Sequence, residues 1–338
     1  MRFLITLKPL LMRYFRFFLL IGLLLCGFSA TAKMISSDIF IDDMVNQHGF
    51  DRYYLTQLLD KAKVRKKIIK LMSPRPRPRK AKPWYRYRKI FLNDKRIKKG
   101  IKFWQKNARA LRQAEATYGV PAEFIVAIIG VETYYGTNKG HFSVLDALVT
   151  LSFHYARRAD FFRSELEHYL LLTRDEGMDP LVKKGSYAGA MGIGQFMPSS
   201  FRRYAVDFDG DGKRNIWTNN TDAIGSVANY FYEHGWQTGQ SVIVATQVRP
   251  NAIEGLLGLK FKPQYTLQKL KQKGLLYQGD EPKSTLSMFI DLETELGTAY
   301  WVGFQNYYVI TRYNRSKRYA MAVYQLAQEI SRRYAQIR

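Results

Sequence analysis

The chain has almost no cysteine: Cys26 is the single one among 338 residues. No disulfide framework is available within one chain, and thiolate centres with three or four cysteines are excluded. Acidic residues are scarce beside basic ones, 28 Asp and Glu against 53 Lys and Arg, for a formal charge of +25. An imbalance of that size calls for an anionic partner or surface. Nucleotide fingerprints are missing too. There is no G-x-x-x-x-G-K-[ST], and "GAMGIG" runs G-x-x-G-x-G, the reverse of the dinucleotide spacing, with no strand pattern before it. No internal repeat is visible. Aromatics, by contrast, are plentiful at 14%, with 23 Tyr and 21 Phe, enough to line stacking surfaces and incompatible with a wholly disordered chain.

Arg2, Lys8, Arg13 and Arg16 precede the 12-residue run "FFLLIGLLLCGF", and "ATA" follows at Ala30–Ala32. That order reads as a secretory signal peptide, residues 1–32, cleaved after Ala32 and sending the protein to the periplasm. The run is short for a membrane span. A lipoprotein signal through Cys26 fits less well, because Leu25, not a small residue, stands before the cysteine.

Helical periodicity covers residues 38–72 and 97–118, and "SPRPRPRK" at 73–80 stands between them as extended chain. Further helices are predicted over 143–153, 157–173, 222–234 and 316–337. The β-branched and aromatic stretches "SVIVATQV", "TLSMFIDLE", "AYWVGF" and "YYVITRY" predict strands. The expected fold class is mainly α, an α+β chain with a helical body and a small β-containing segment near 240–300.

Within "PAEFIVAIIGVETYYG", Ile125, Ile128 and Ile129 stand seven, four and three residues before Glu132. On a helix all four share one face, so Glu132 extends an apolar stripe. Burial disfavours the charged carboxylate, and a Glu that keeps its proton near neutral pH can serve as a general acid. Pro121 suits the first turn of this helix, and Gly136 is the predicted stop, one turn past Glu132. A Glu on the polar edge, or paired with an Arg, is the other reading. "GSYAGAMGIGQFMPSSF" at 185–201 is a Gly-rich loop entering a helix near Pro198. It reads either as a plain turn or as backbone brought close to a bulky ligand, with Ser186 and Gln195 as polar contacts.

The blocks "AIIGVETYYG", "RRADFF", "GSYAGAMGIGQFMPSSF", "DFDGDG", "AIGSVANYF", "KPWYRYRKIF" and "ITRYNRSKRYAMAV" resemble the membrane-bound lytic murein transglycosylase B family, glycoside hydrolase family 103. The likeness runs in order from about residue 36 to the C-terminus. It implies a lysozyme-like catalytic core at 121–240, a helical region with a basic arm at 33–120, a small β insertion at 241–300, and a C-terminal part of the core at 301–338. It implies that Glu132 is the catalytic acid/base and that Ser186 and Gln195 contact the sugar. Tyr87, Arg157, Arg158, Tyr230, Tyr313 and Asn314 are similar to groove residues. The implied substrate is the glycan strand of peptidoglycan, cut at the β-1,4 bond between N-acetylmuramic acid and N-acetylglucosamine. The muramic 6-hydroxyl attacks its own anomeric carbon and leaves a 1,6-anhydro end. Glycosidases usually need two carboxylates. An internal nucleophile removes that need, since one Glu can protonate the leaving oxygen and then accept the hydroxyl proton. Asp146, Asp160, Asp175 and Glu176 stay open as partner acids. A hydrolytic muramidase and a non-catalytic peptidoglycan-binding protein are the alternative classes.

"DFDGDGK" sets Asp207, Asp209 and Asp211 two apart, with the Lys213 carbonyl next in phase, matching positions 1, 3, 5 and 7 of an EF-hand loop. Position 12 is Thr218, not Glu, and Asp222 can close a longer loop. The resemblance implies a structural calcium ion here and no organic cofactor, although this chain has one residue more before Asp222. A metal-free Asp-Gly turn is the other reading. Residues 61–102 hold 19 Lys or Arg and a single acid, Asp94. Interleaved with Trp and Tyr, they resemble a nucleic-acid footprint. An exported protein meets murein carboxylates and anionic lipid head groups instead, so the arm is read as holding the enzyme at the wall or membrane surface. A solvated basic helix is the plainer reading. No nucleic-acid partner and a monomeric state are expected.

Overall fold

The computed structural model describes residues 36–74 and 82–337. The signal-peptide reading, Cys26 and the proline run at 75–81 lie outside the described residues. The stretch read as helical between 38 and 72 forms three helices: α1 (Ser37–His48), α2 (Arg52–Lys61) and α3 (Lys66–Met72). Gly49 closes α1, and the Asp51 carboxylate caps α2 by accepting from the Tyr54 amide. After α4 (Trp84–Phe91) the expected helix at 97–118 is broken in two, α5 (Asp94–Lys106) and α6 (Ala108–Tyr118). The break is Asn107, whose backbone and side-chain amides both turn back onto the Phe103 carbonyl. Asn competes with the helix in this way because its short amide reaches nearby backbone.

α7 (Ala122–Thr133) is apolar on every side because α5, α6, α11 (Asn220–Glu233) and α15 (Lys317–Ala335) pack around it. Ile125, Val126, Ala127, Ile128 and Ile129 have no exposed surface. α8 (Val144–His154) packs on α3 and on α9 (Ala159–Asp175), with a single 3-10 turn at 156–158 between α8 and α9. A two-stranded ladder joins β1 (Phe142–Ser143) to β2 (Lys184–Gly185), and α10 (Pro198–Tyr204) opens on Pro198.

The β-rich segment is one antiparallel sheet of β3 (Ile243–Val248), β4 (Tyr265–Thr266), β5 (Leu275–Leu276), β6 (Leu286–Thr294) and β7 (Gly297–Gly303), in the order β4-β6-β7-β3-β5. Alternation along β6 splits its side chains between two cores. Met288, Ile290 and Leu292 join the helical core, while Phe289 joins a smaller cluster with Leu267 and Leu270 of α13 (Leu267–Gln272) and Leu256 of α12 (Ile253–Leu257).

"YYVITRY", predicted as a strand, is instead the body of helix α14 (Gln305–Tyr313). Its β-branched and aromatic residues were a misleading signal. Asn306, Tyr307, Ile310 and Thr311 are buried at helical spacing, and the Asn306 amide bonds Gln237 and Gln240 carbonyls. Burial on one face outweighs local preference.

Candidate active site

Glu132 stands in the last turn of α7. The helix stops at Thr133, not at Gly136 as the sequence predicted, because Tyr134 and Tyr135 take left-handed backbone at φ 53 and 59. Their amides close onto the Gly130 and Ile129 carbonyls. The Thr133 hydroxyl donates to the Ile193 carbonyl at 2.8 Å, which fastens the helix end to the Gly-rich loop. Gln195 in that loop is the third non-glycine residue with positive φ among the described residues, at 55. Bulky residues in this region cost free energy, and such strain gathers at working sites.

The Tyr319 hydroxyl, in the first turn of α15, donates to Glu132 Oε1 at 2.5 Å. Glu132 is walled by protein yet keeps a partial opening to solvent. Burial pushes its pKa up to about 7, and the Tyr319 hydrogen bond pulls against that rise. Burial and the neighbouring Glu132 charge hold the Tyr319 hydroxyl protonated, so it is a fixed donor at neutral pH. Sequence reasoning missed Tyr319. It lies in "SKRYAMAV", where the only local signal is the Ser316 cap accepting from the Tyr319 amide.

A rim of aromatic residues surrounds the carboxyl. Glu132 contributes to raised pKa values at Tyr87, Tyr313 and Tyr319, with burial the larger cause in each. Tyr313 donates to the Gly194 carbonyl at 2.5 Å, and its ring lies 4.7 Å from that of Tyr230. Tyr230 is anchored by its bond to the Arg312 carbonyl at 2.7 Å. Tyr87, on α4, packs against Phe91 at 5.2 Å with the Arg318 guanidinium over its face.

The Gly-rich loop is the facing wall. Ser186 Oγ accepts from the Ala188 and Ala190 amides and so turns the loop. The Gln195 amide donates to the Gly192 and Lys139 carbonyls, tying this loop to the segment that leaves Glu132. Gly140 of that segment lies so close to Gly185 that a Cβ would fall 2.0 Å from its carbonyl oxygen. Tyr87, Tyr230, Tyr313 and, through the loop, Gln195 are thus brought together around Glu132. Arg157 and Arg158 are not joined to this cluster. They are exposed on the 3-10 turn, with the Arg158 guanidinium 4.1 Å from the Phe161 ring. Asn314 is exposed at the end of α14.

The four acids left open as partners are occupied elsewhere. Asp146 pairs with Arg65, Asp160 with Arg163, Asp175 with Arg174 and Arg202, and Glu176 with Arg214. No other carboxylate is among the causes of the Glu132 shift.

The acidic loop gathers Asp207, Asp209 and Asp211, with a carboxylate oxygen from each within 4.8 Å of the others. Three hard oxygen donors so close repel one another unless a cation joins them, so the set fits calcium. Asp207 shapes the loop by accepting from the Gly210, Asp211 and Gly212 amides, and Asp211 accepts from the Lys213 amide. Asp222 is fully buried beneath the loop and outside this cluster, its two oxygens taken by the Phe208 and Asn215 amides. Asn219, between the loop and Asp222, caps α11 and donates its side-chain amide to Asp209.

Glycan chains suit such a groove, because flat tyrosine faces stack on sugar rings and one protonated carboxyl can cleave between them. By fold and site the chain is a glycan-cleaving enzyme of lysozyme-like build. It belongs to the family described as "Transglycosylase SLT domain", whose model matches residues 36–328. It is 47% identical over 300 residues to membrane-bound lytic murein transglycosylase B of Escherichia coli K12, covering 86% of this chain and 81% of that one. Soluble lytic transglycosylase SltB1 of Pseudomonas aeruginosa is 49% identical, with a TM-score of 0.83 over 87% of this chain and 97% of its own. An Escherichia coli lytic transglycosylase solved in complex with calcium is 46% identical, with a TM-score of 0.79 over 88% and 93%. SltB3 of Pseudomonas aeruginosa, solved with NAG-NAM-pentapeptide, is 28% identical, with a TM-score of 0.75 over 87% and 78%.

Proposed function

We propose that Glu132 performs both proton transfers in this peptidoglycan lytic transglycosylase. The carrying observation is a carboxyl with its pKa pushed up to about 7 and held by Tyr319, with no other carboxylate among the described residues contributing to that shift. The proton of Glu132 passes to the bridging oxygen as the muramic C1–O bond breaks, releasing the 4-hydroxyl of the next sugar. The carboxylate left behind faces the developing positive charge, with the Tyr319 hydroxyl still donating to it. It then takes the proton of the muramic 6-hydroxyl as that oxygen closes on C1. The 1,6-anhydro end forms, Glu132 regains its proton, and no water enters. Tyr87, Tyr230, Tyr313 and Gln195 are assigned to the groove wall, with Ser186, Asn314, Arg157 and Arg158 further along it.

Calcium is proposed as a structural ion on Asp207, Asp209 and Asp211, supported by their convergence and by the calcium-bound relative. Its chemistry there is to neutralise the loop and hold it against α11. The Lys213 carbonyl and Asp222 complete the proposed ligand set if the loop tightens around the ion. Export through residues 1–32 to the periplasm is the reading for a wall-acting enzyme. The exposed Lys95, Lys98, Lys102 and Lys106 of α5 are read as its contact with an anionic surface.

The test is mass spectrometry of sacculi digested by wild type and by Glu132→Gln. Anhydro-ended muropeptides are expected from wild type, and none from the variant, which still binds strands. Products about 18 Da heavier, the mass of one water, would mean hydrolysis and overturn the reading.

A further inference from the structure

The turn that follows Glu132 is held from one side by a single stripe of α5. Arg96, Lys99, Gly100 and Phe103 recur at the three-and-four spacing of one helix face, and each meets Tyr134 or Tyr135. The Arg96 guanidinium lies 4.9 Å from the Tyr134 ring centre and 5.2 Å from that of Phe91. The Lys99 ammonium lies 4.4 Å from the Tyr134 ring, so two cations attend one tyrosine. Tyr135 enters a slot between two glycines. A Cβ on Gly100 would fall 2.5 Å from its hydroxyl, and one on Gly130 2.6 Å. Its ring lies 5.7 Å from that of Phe103.

Arg96 also reaches α7 itself. Its Nη1 donates to the Gly130 carbonyl, which accepts the Tyr134 amide at 3.2 Å as well. Gly130 stands two residues before Glu132, at the end of the helix where a cation is favourable. The Lys99 ammonium donates to Thr137 Oγ1, five residues after Glu132. The two cations therefore grip the chain on both sides of the acid.

Stability alone does not account for this arrangement. Arg96 is half-buried, burial lowers its pKa, and only tyrosines, no carboxylate, act against that fall. Its Nε and the Tyr135 hydroxyl are buried without hydrogen-bond partners among the described residues. Tyr134 and Tyr135 both hold left-handed backbone. Buried orphan donors and left-handed tyrosines each cost free energy. What the arrangement fixes is a chain that reverses directly after Thr133, whose hydroxyl fastens to Ile193 and whose neighbour is Glu132.

We propose that Arg96 is a positioning residue for Glu132: by holding the Gly130 carbonyl and the Tyr134 ring, it fixes where α7 ends and so where the carboxyl stands against the scissile bond. The proposal rests on the assignment of both proton transfers to Glu132. No side chain assigned to the groove wall bonds to Arg96, so strand binding is expected to survive its loss.

The experiment measures kcat and KM on soluble peptidoglycan strands for wild type, Arg96→Gln, Arg96→Lys and Glu132→Gln, with amide hydrogen exchange of each protein. Arg96→Gln is expected to lower kcat about tenfold with KM unchanged, because a small displacement of a reacting group is enough for that loss. Arg96→Lys keeps a cation and a donor and is expected to recover part of it. Exchange should quicken within residues 130–138 and stay as in wild type elsewhere, which also shows that the variant is folded. Should Arg96→Gln exchange fast throughout, Arg96→Lys is compared with wild type in its place. A lowered kcat at constant KM then carries the proposal, and a wild-type kcat overturns it. A wild-type kcat in folded Arg96→Gln, a loss carried wholly by KM, or Arg96→Lys no better than Arg96→Gln would each overturn it too. An active Glu132→Gln would strike the underlying assignment instead, and that variant is read independently of Arg96.

Discussion

Glu132 keeps its proton because α7 and its neighbours leave the carboxyl few waters, while Tyr319 limits the effect by donating to the ionised form. Removing that donor should move the balance further. In Tyr319→Phe the alkaline limb of kcat/KM is expected to shift to higher pH, and kcat to fall about tenfold, the scale of one hydrogen bond to a charged group. A limb that does not move would remove Tyr319 from the site. Stability carries the same sign. The folded pKa lies above the ordinary 4.5, so the fold favours the protonated form. The contribution of Glu132 is intact below about pH 4.5 and is lost as pH rises through about 7. Glu132→Gln cannot ionise, and its stability relative to wild type should rise between pH 5 and pH 8 by on the order of 2 kcal/mol, solvent contact having trimmed the full shift. Thermal denaturation at the two pH values measures it.

At the scale of elements, two features turn on side chains reaching their own or distant backbone. Asn107 divides a helix that periodicity alone runs through, and Asn306 holds α14 where strand-forming residues predominate. Glu132, by contrast, was legible at this scale, since Ile125, Ile128 and Ile129 showed which face it shares. The acidic loop was legible in its three aspartates and not in its closure, because the position of Asp222 depends on how Asn219 starts α11. Calcium at a hundredfold excess over its dissociation constant should stabilise the protein by about 2.7 kcal/mol, and a chelator should reverse the gain. Asp209→Asn should abolish the calcium response without unfolding the protein, because its carboxylate oxygen bonds a side chain rather than the loop backbone. Calorimetry with and without the ion distinguishes the cases, and an unchanged melting temperature would leave the loop a metal-free turn.

Across the whole molecule the excess charge is not spread evenly. Lys95, Lys98, Lys102 and Lys106 follow one exposed stripe of α5, opposite the buried Ile97, Gly100 and Phe103. None of the four takes part in an ion pair among the described residues, whereas Arg65, Arg163 and Arg214 are each bound to an acid. Replacing the four lysines by Gln should reduce sedimentation with isolated sacculi several-fold at low salt and flatten its salt dependence. Cleavage of short soluble strands should stay as in wild type. Retention that ignores both the substitutions and the salt would make the stripe a solvated helix face.

The sequence by itself determined a helical body with a small β segment, an acid on an apolar helix face, an acidic loop and a strong basic arm. Each is a local pattern, written in residues close along the chain. Only the tertiary structure decided which groups stand around the acid. Tyr319 reaches Glu132 from 187 residues away, and Tyr313 meets the Gly-rich loop from 119 residues away. It likewise showed Asp146, Asp160, Asp175 and Glu176 each already paired with arginine. Those contacts come from the packing of α15 on α7 and of α14 on the Gly-rich loop, and packing between distant segments leaves no periodicity to read.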